Sequence, residues 1–310
     1  MQDGLKNGTT CTVYFGVLDS GASKLLADVM IDEGQRGWAS KVSMDRNAPS
    51  YYCEETNEGL EGVKQFCKYV VEKGEECDRL VRPALCPRFI PTCSADLMKG
   101  LSEVRGSYPG EEILVTSHVS ESVDEVEFVK GLHPGEGTDA QIFDEYGLLR
   151  NSVQAHCVHC NRADWKLMSE KSASVAFCPL SNFYFAGGNL DADEATQGGV
   201  KVGLGTDVAG GYDGSILSAI RNAVISSRMR GGGVDWKTAL GMATVGGAEA
   251  VGMGEELGKF KVGYRADFVW WEGQGGGGLG GGQEGEVEWI VHKGDDRNVR
   301  GVWVDGRQVL

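Results

Sequence analysis

Short aliphatic or β-branched runs that turn polar and then pass into helical periodicity recur along this chain. That rhythm narrows the possible folds more than any other feature. The plainest instance is Ile113-Leu114-Val115-Thr116-Ser117-His118-Val119-Ser120-Glu121. Three consecutive aliphatic residues predict a buried strand. The run then turns polar and ends in His118 and Glu121. Ser122 and Glu125 stand at capping-box spacing. Val123, Val126, Val129 and Leu132 follow at roughly one-turn intervals, so a helix is expected at once. A strand that ends in an imidazole and a carboxylate, just ahead of a helix, is where parallel α/β proteins gather reactive groups. The same pair also reads as a surface His and Glu in an ordinary loop.

The pattern repeats on either side. Thr9 to Phe15 and Trp38 to Val42 read as strands. Leu25, Leu26, Val29 and Met30 predict one face of a helix, and residues 59–71 predict another amphipathic helix. Residues 80–91 read as a strand and its exit, with the prolines suited to a strand end. Further strands are expected at Val153 to His156, Ser174 to Pro179 and Val200 to Asp207. Helices are expected at 164–171 and from Ser215, the latter with Ile216, Leu217, Ile220, Val224 and Ile225 on one face. Strand, polar exit and helix in succession predict an α/β fold with a parallel sheet closed as a (β/α) barrel of the TIM type. We assign residues 1–258 to that barrel. Residues 259–310 read as a C-terminal β appendage, because short alternating strands flank the glycine-rich stretch 273–282, itself expected to be a loop.

A chain of 310 residues can bury one large core or two domains. Its net charge of -15 disfavours nucleic acid and anionic membrane as partners. No apolar run has the length of a bilayer span. The nine cysteines are odd in number and irregular in spacing, which points to free thiols and a cytoplasmic setting.

Three strand exits offer ligand-type groups: His118, His156 and Asp207. Imidazole nitrogen and carboxylate oxygen suit zinc or a similar divalent ion, and neighbouring barrel strands converge such groups at one rim. Asp207 lies in Gly203-Leu204-Gly205-Thr206-Asp207-Val208-Ala209-Gly210-Gly211, whose glycines allow close backbone approach or simply form a turn. His156-Cys157-Val158-His159-Cys160 is too compact to close a four-ligand zinc site. Cys178 has no basic partner nearby in sequence and is expected to pack. His133 and His292 read as solvent histidines.

Thr116 to Glu121, Ala155-His156, Cys178-Pro179-Leu180-Ser181-Asn182 and Gly203 to Asp207 together resemble the metal-dependent amidohydrolase superfamily. Gly34-Gln35-Arg36, Lys41 to Asp45, Pro87-Arg88-Phe89, Gly205 to Gly211 and Gly294 to Asn298 look specifically like its guanine deaminases. The resemblance covers nearly the whole chain outside the glycine-rich stretch. It implies a (β/α)-barrel with a small β-sandwich, one Zn2+ per subunit, a homodimer, and hydrolysis of guanine to xanthine and ammonia. It makes His118 and Asp207 metal ligands. Asp207 would also take a proton from the attacking water, and Glu121 would carry a proton to the purine. His156 would steady the water, and Arg88 and Phe89 would hold the purine by its oxygen and its face.

One departure matters. The family supplies two more ligands from a His-x-His pair on a first barrel strand, and none of the five histidines here precedes His118. The first strand of this chain resembles the family's second. The expectation is therefore an incomplete barrel, truncated at the N-terminus, with low stability and little activity on its own. Two alternatives stand beside it: a deaminase of another purine, a pterin or a triazine, and a non-catalytic relative that keeps the pocket.

Overall fold

The computed structural model describes residues 1–108, 113–273 and 282–310. Helix α1 (Gln2–Lys6) and strand β1 (Cys11–Tyr14) begin an alternation. It continues through α2 (Ser20–Asp32), β2 (Arg36–Ser43), α3 (Thr56–Glu76), β3 (Val81–Pro87), α4 (Ala95–Gly106) and β4 (Leu114–Val119). After β4 come α5 (Val123–Leu132), α6 (Asp139–Glu145), β5 (Ser152–His156), α7 (Arg162–Glu170) and β6 (Ser174–Phe177). Then follow α8 (Pro179–Tyr184), α9 (Ala192–Gln197), β7 (Lys201–Leu204), α10 (Ile216–Met229), α11 (Trp236–Gly241) and α12 (Gly247–Ala250). The last elements are β8 (Phe268–Trp271), α13 (Gly282–Lys293), β9 (Val299–Val304) and β10 (Arg307–Gln308).

Strands β1 to β7 follow one another in the sheet in chain order, and β1 to β5 pair in parallel. Parallel neighbours joined by helices are the wall of a (β/α) barrel, as the strand–exit–helix rhythm predicts. The chain forms two compact units: Cys11–Ser174 with Gly198–Val200, and Met1–Thr10 with Val175–Gln197 and Lys201–Leu310.

In the first unit every residue of β2 is buried. That includes Lys41, whose ammonium lies 2.7 and 2.8 Å from the two oxygens of Glu54. Burial pulls the Lys41 pKa down from its ordinary value and Glu54 opposes the shift. Leu18, Val42, Met44 and Cys86 form a core cluster against which Phe15 packs. In α3, Val63, Phe66, Cys67 and Val70 are buried, the i, i+3, i+4, i+7 stripe that the sequence predicts.

Two local expectations are corrected. Helix α2 buries Ser23, Ala27 and Met30, while Leu25 is 61% exposed. The Ser23 hydroxyl donates to the Val17 carbonyl at 3.0 Å, which turns the small face inward and Leu25 outward. Pro83 lies inside β3 rather than at its end. The β3–β4 ladder begins only at Ala84, so the missing N–H falls before that pairing starts.

In the second unit, β8, β9 and β10 form a three-stranded antiparallel sheet in the order β10-β9-β8. The rings of Phe268 and Trp303 stack on it at 4.8 Å. Helix α1 belongs to this unit: Leu5 is buried, and a Cβ at Gly8 would meet the Trp271 ring at 2.6 Å. The glycine-rich loop expected at 273–282 lies, for 274–281, outside the described residues. Helix α13 begins directly after it and was not expected. Arg221 of α10 fastens its end, donating to the carbonyls of Val291 at 2.6 Å and Gly294 at 2.5 Å. In α10, Leu217 and Ile220 are buried as predicted, but Ile225 faces outward because Ala219 and Ala223 complete the inner face. No helix among the described residues is long and apolar enough to cross a membrane.

Candidate active site

Strands β4 and β5 build the centre of the site. Their register pairs His118 with Ala155 and Val119 with His156. Strict alternation along a pleated strand would send His118 and His156 to opposite faces. His156 instead takes φ +71, and Cys157 after it takes φ +51. This left-handed turn breaks the alternation and brings the two imidazoles together. Their rings stack with centroids 5.2 Å apart. A non-glycine residue in that region is uncommon, and histidine is among the few that tolerate it. Ser120, at the exit of β4, is also left-handed at φ +47.

The Glu121 carboxylate completes the group, with Oε1 3.7 Å from His156 Nε2. His118, Glu121 and His156 each offer a ligand atom, and the three atoms lie within 4.8 Å of one another. Among the described residues this is the one such group of three or more. His118 Nδ1 lies 2.9 Å from the Arg88 carbonyl oxygen, which can only accept, so Nδ1 carries the proton. That tautomer leaves Nε2 as the lone-pair donor, the usual arrangement of a metal-binding imidazole. Two imidazoles and a carboxylate are a donor set that suits a divalent ion of the zinc type. The residues present therefore fit a metal.

Aromatic rings enclose His118. Phe15, just after β1, meets it edge-on at 4.8 Å, and Phe89, just after β3, at 6.3 Å. The Arg88 guanidinium lies 5.6 Å from the Phe89 ring centre, and its Nη1 is 3.7 Å from Met44 Sδ. A flat, apolar face and a planar cation thus stand beside the imidazole pair, as a heteroaromatic ring with a carbonyl would require.

Two buried carboxylates support the exit of β4. Asp139 Oδ2 accepts from the Ser120 N–H at 2.7 Å and from the Ser120 hydroxyl at 2.9 Å. Glu125 Oε2 accepts from the Glu121 N–H at 2.8 Å. Burial, and then the Asp139 charge, push the Glu125 carboxyl up to about 8. Burial also raises Asp139, against the two Ser120 hydrogen bonds that hold it down.

The profile of the Amidohydrolase family matches residues 1–309. This chain belongs to the amidohydrolase family. Guanine deaminase from Dictyostelium discoideum is 33% identical over 98% of this chain and 69% of its own length. Guanine deaminase from E. coli is similar in structure, with a TM-score of 0.89 at 31% identity, covering 98% of this chain and 71% of that one. The enzyme from C. acetobutylicum, solved with guanine in its active site, gives 0.92 at 28% identity, covering all of this chain and 74% of that one. The amidohydrolase fold is the (β/α) barrel that the strand order implies. Metal dependence, typical of the family, agrees with the His-Glu-His group.

Of the residues that the sequence singles out, this amidohydrolase brings together His118, Glu121, His156 and Phe89. Asp207 belongs to the second unit and follows β7 in a left-handed conformation at φ +47. The glycines beside it allow close packing. A Cβ at Gly210 would lie 2.5 Å from an Asp207 carboxylate oxygen and 3.1 Å from Ser181 Oγ, and one at Gly205 would lie 2.7 Å from Cys178 Sγ. Cys178 therefore packs, as expected. His133 is corrected: its side chain is 11% exposed, with Nδ1 2.5 Å from Glu136 and Nε2 3.3 Å from Arg46. It is a partnered histidine rather than a solvent one, because the loop after β2 folds over it. The sequence marks none of Phe15, Glu125 and Asp139 as a site residue; Glu125 stands there only as the capping-box partner of Ser122. Phe15 ends the strand predicted from Thr9, and reading strand ends for aromatic as well as polar residues finds it.

Proposed function

We propose that this chain hydrolyses guanine to xanthine and ammonia, at a site made by His118, Glu121 and His156 with Arg88 and Phe89 beside them. The observation that carries the reading is this group of three, in a chain that aligns over 98% of its length with a guanine deaminase. His118 and Asp207 are the proposed metal ligands, with zinc as the ion that the donor types suit best. A bound zinc supplies Lewis acidity and brings the pKa of water down to about 7.

The rest of the chemistry belongs to side chains. Phe89 stacks on the purine, and Arg88 donates to its ring carbonyl. An amino group at that position would leave the Arg88 donor unpaired, which favours guanine over adenine. Water adds at the amine-bearing carbon. Asp207 takes a proton from that water. Glu121 delivers a proton to the ring and then to the departing amine, so ammonia leaves and a carbonyl remains. His156, 3.7 Å from the Glu121 oxygen, holds the added oxygen in line. The nine cysteines stand as thiols rather than disulfides, which fits a reducing cytoplasm.

The test is an assay of the purified, zinc-supplemented chain against guanine, adenine, a pterin and a triazine, with ammonia as the readout. Xanthine formation is expected, and it is expected to vanish in Glu121→Ala. Faster turnover of any other substrate on the panel, or no Glu121-dependent turnover of guanine, would overturn the reading.

A further inference from the structure

Ser120 connects the strand that carries His118 to the residue that carries the working carboxylate. Its φ of +47 belongs to the left-handed region, which a non-glycine residue keeps only where its surroundings hold it there. The surroundings here are specific. One oxygen of Asp139 accepts both donors of Ser120, the N–H and the hydroxyl. One oxygen of Glu125 accepts the next N–H along, that of Glu121. Both carboxylates are buried, Asp139 to 2% exposure and Glu125 to 8%. A buried carboxylate is a costly way to hold a turn unless it is fully used. Three donors from two successive residues, the Ser120 N–H and hydroxyl and the Glu121 N–H, thus end on two buried carboxyl groups.

The turn is held from its other side as well. The Ser120 carbonyl accepts from the His159 N–H at 3.0 Å, and the Val119 carbonyl from the Cys157 N–H at 2.9 Å. Those donors lie in the turn that aims His156. The exits of β4 and β5 are thus tied to each other, and Asp139 and Glu125 fasten the pair to α6 and α5. The Glu121 side chain can swing only as far as this tie lets its backbone move.

We propose that Asp139 and Glu125 are positioning residues for Glu121: a two-carboxylate clamp that holds the Ser120–Glu121 turn, and so keeps the Glu121 carboxylate against His156. This deepens the guanine-deaminase reading and rests on it for the identity of the reaction. The clamp does not touch the purine, and it reaches the metal-binding group only through Glu121, one of the three side chains that offer it a ligand atom.

A double-mutant cycle separates that role from plain structural support. Asp139→Ala, Glu121→Ala and the double variant are compared with the unaltered chain by Zn2+ affinity in equilibrium dialysis, and the proteins that keep Glu121 also by kcat and KM for guanine. Asp139→Ala is expected to lower kcat and Zn2+ affinity by roughly 10- to 100-fold, the usual effect of removing a partner that orients a site residue. KM for guanine should stay within about threefold by the same reasoning, since the purine contacts are untouched. Asp139→Asn keeps an acceptor for Ser120 and should recover most of the loss. In the Glu121→Ala background, removing Asp139 should cost nothing further.

If Asp139→Ala lowers Zn2+ affinity by the same factor with and without Glu121, the clamp is structural only and the proposal fails. It fails equally if a folded Asp139→Ala changes neither kcat nor Zn2+ affinity. Should Asp139→Ala not fold, Ser120→Ala and Glu125→Gln carry the same cycle with milder losses. Absence of guanine turnover in the unaltered chain would refute the deaminase reading alone, because the Zn2+ cycle still decides the clamp.

Discussion

Glu125 buries a carboxyl with one oxygen on the Glu121 N–H, and its surroundings favour the neutral form. The unfolded chain ionises this group near 4.5 and the folded chain at about 8. The folded protein therefore keeps the proton over that interval. Its contribution to stability is complete below about 4.5 and is lost as the pH rises toward 8. Glu125→Gln has no charge to bury and keeps an acceptor for the Glu121 N–H. Its Tm should decline less than that of the unaltered chain between pH 5 and pH 8, and equal slopes would refute the assignment. At this scale the sequence was informative where a residue type is rare and its position marked. His118, Glu121 and His156 each end a run that has to be a strand. Glu125 and Asp139 carried no such mark, because a Glu or Asp early in a helix is also what the helix dipole favours. Only the chain's return through α6 shows that Asp139 faces Ser120.

Strand β2 is tied to the turn ahead of α3 by the buried ion pair of Lys41 and Glu54. Removing one partner of such a pair leaves an uncompensated charge, at a cost of about 3 kcal/mol or more. Glu54→Ala should lower the denaturant midpoint accordingly, while Lys41→Met with Glu54→Leu should recover much of the loss. If Glu54→Ala unfolds at the same midpoint, the pair contributes nothing. Elements themselves were legible wherever a long apolar stripe met a cap. Helix α5 begins at Ser122, whose hydroxyl accepts from the Glu125 N–H at 3.1 Å, as the spacing predicts. The faces of α2 and α10 were less legible. Both bury serine or alanine against the sheet and leave larger residues outside, a choice set by how closely helix and strand approach rather than by hydrophobicity. Helix α13 was illegible for the opposite reason. Its stripe is weak, and Arg221 rather than an apolar face anchors its end.

Across the whole chain, a metal that binds only the folded state must stabilise it. At a zinc concentration one hundred times Kd, the gain is about 2.7 kcal/mol. Zinc should raise the melting temperature of the unaltered chain, a chelator should reverse the rise, and His118→Ala should abolish it. A zinc-induced rise that survives loss of His118 would move the site elsewhere. The barrel topology could be read from the rhythm of strands and exits because each repeat is local. The division into compact units could not, because it joins Met1–Thr10 to Val175–Gln197 and Lys201–Leu310. That union bears on how the protein is made. Helix α1, with its buried Leu5, packs on β9, far along the chain. At ordinary ribosomal speed α1 waits roughly 15 to 60 s for β9. Throughout that interval a nascent chain leaves Leu5 without its final cover, and a holdase that grips short apolar peptides has its opportunity there.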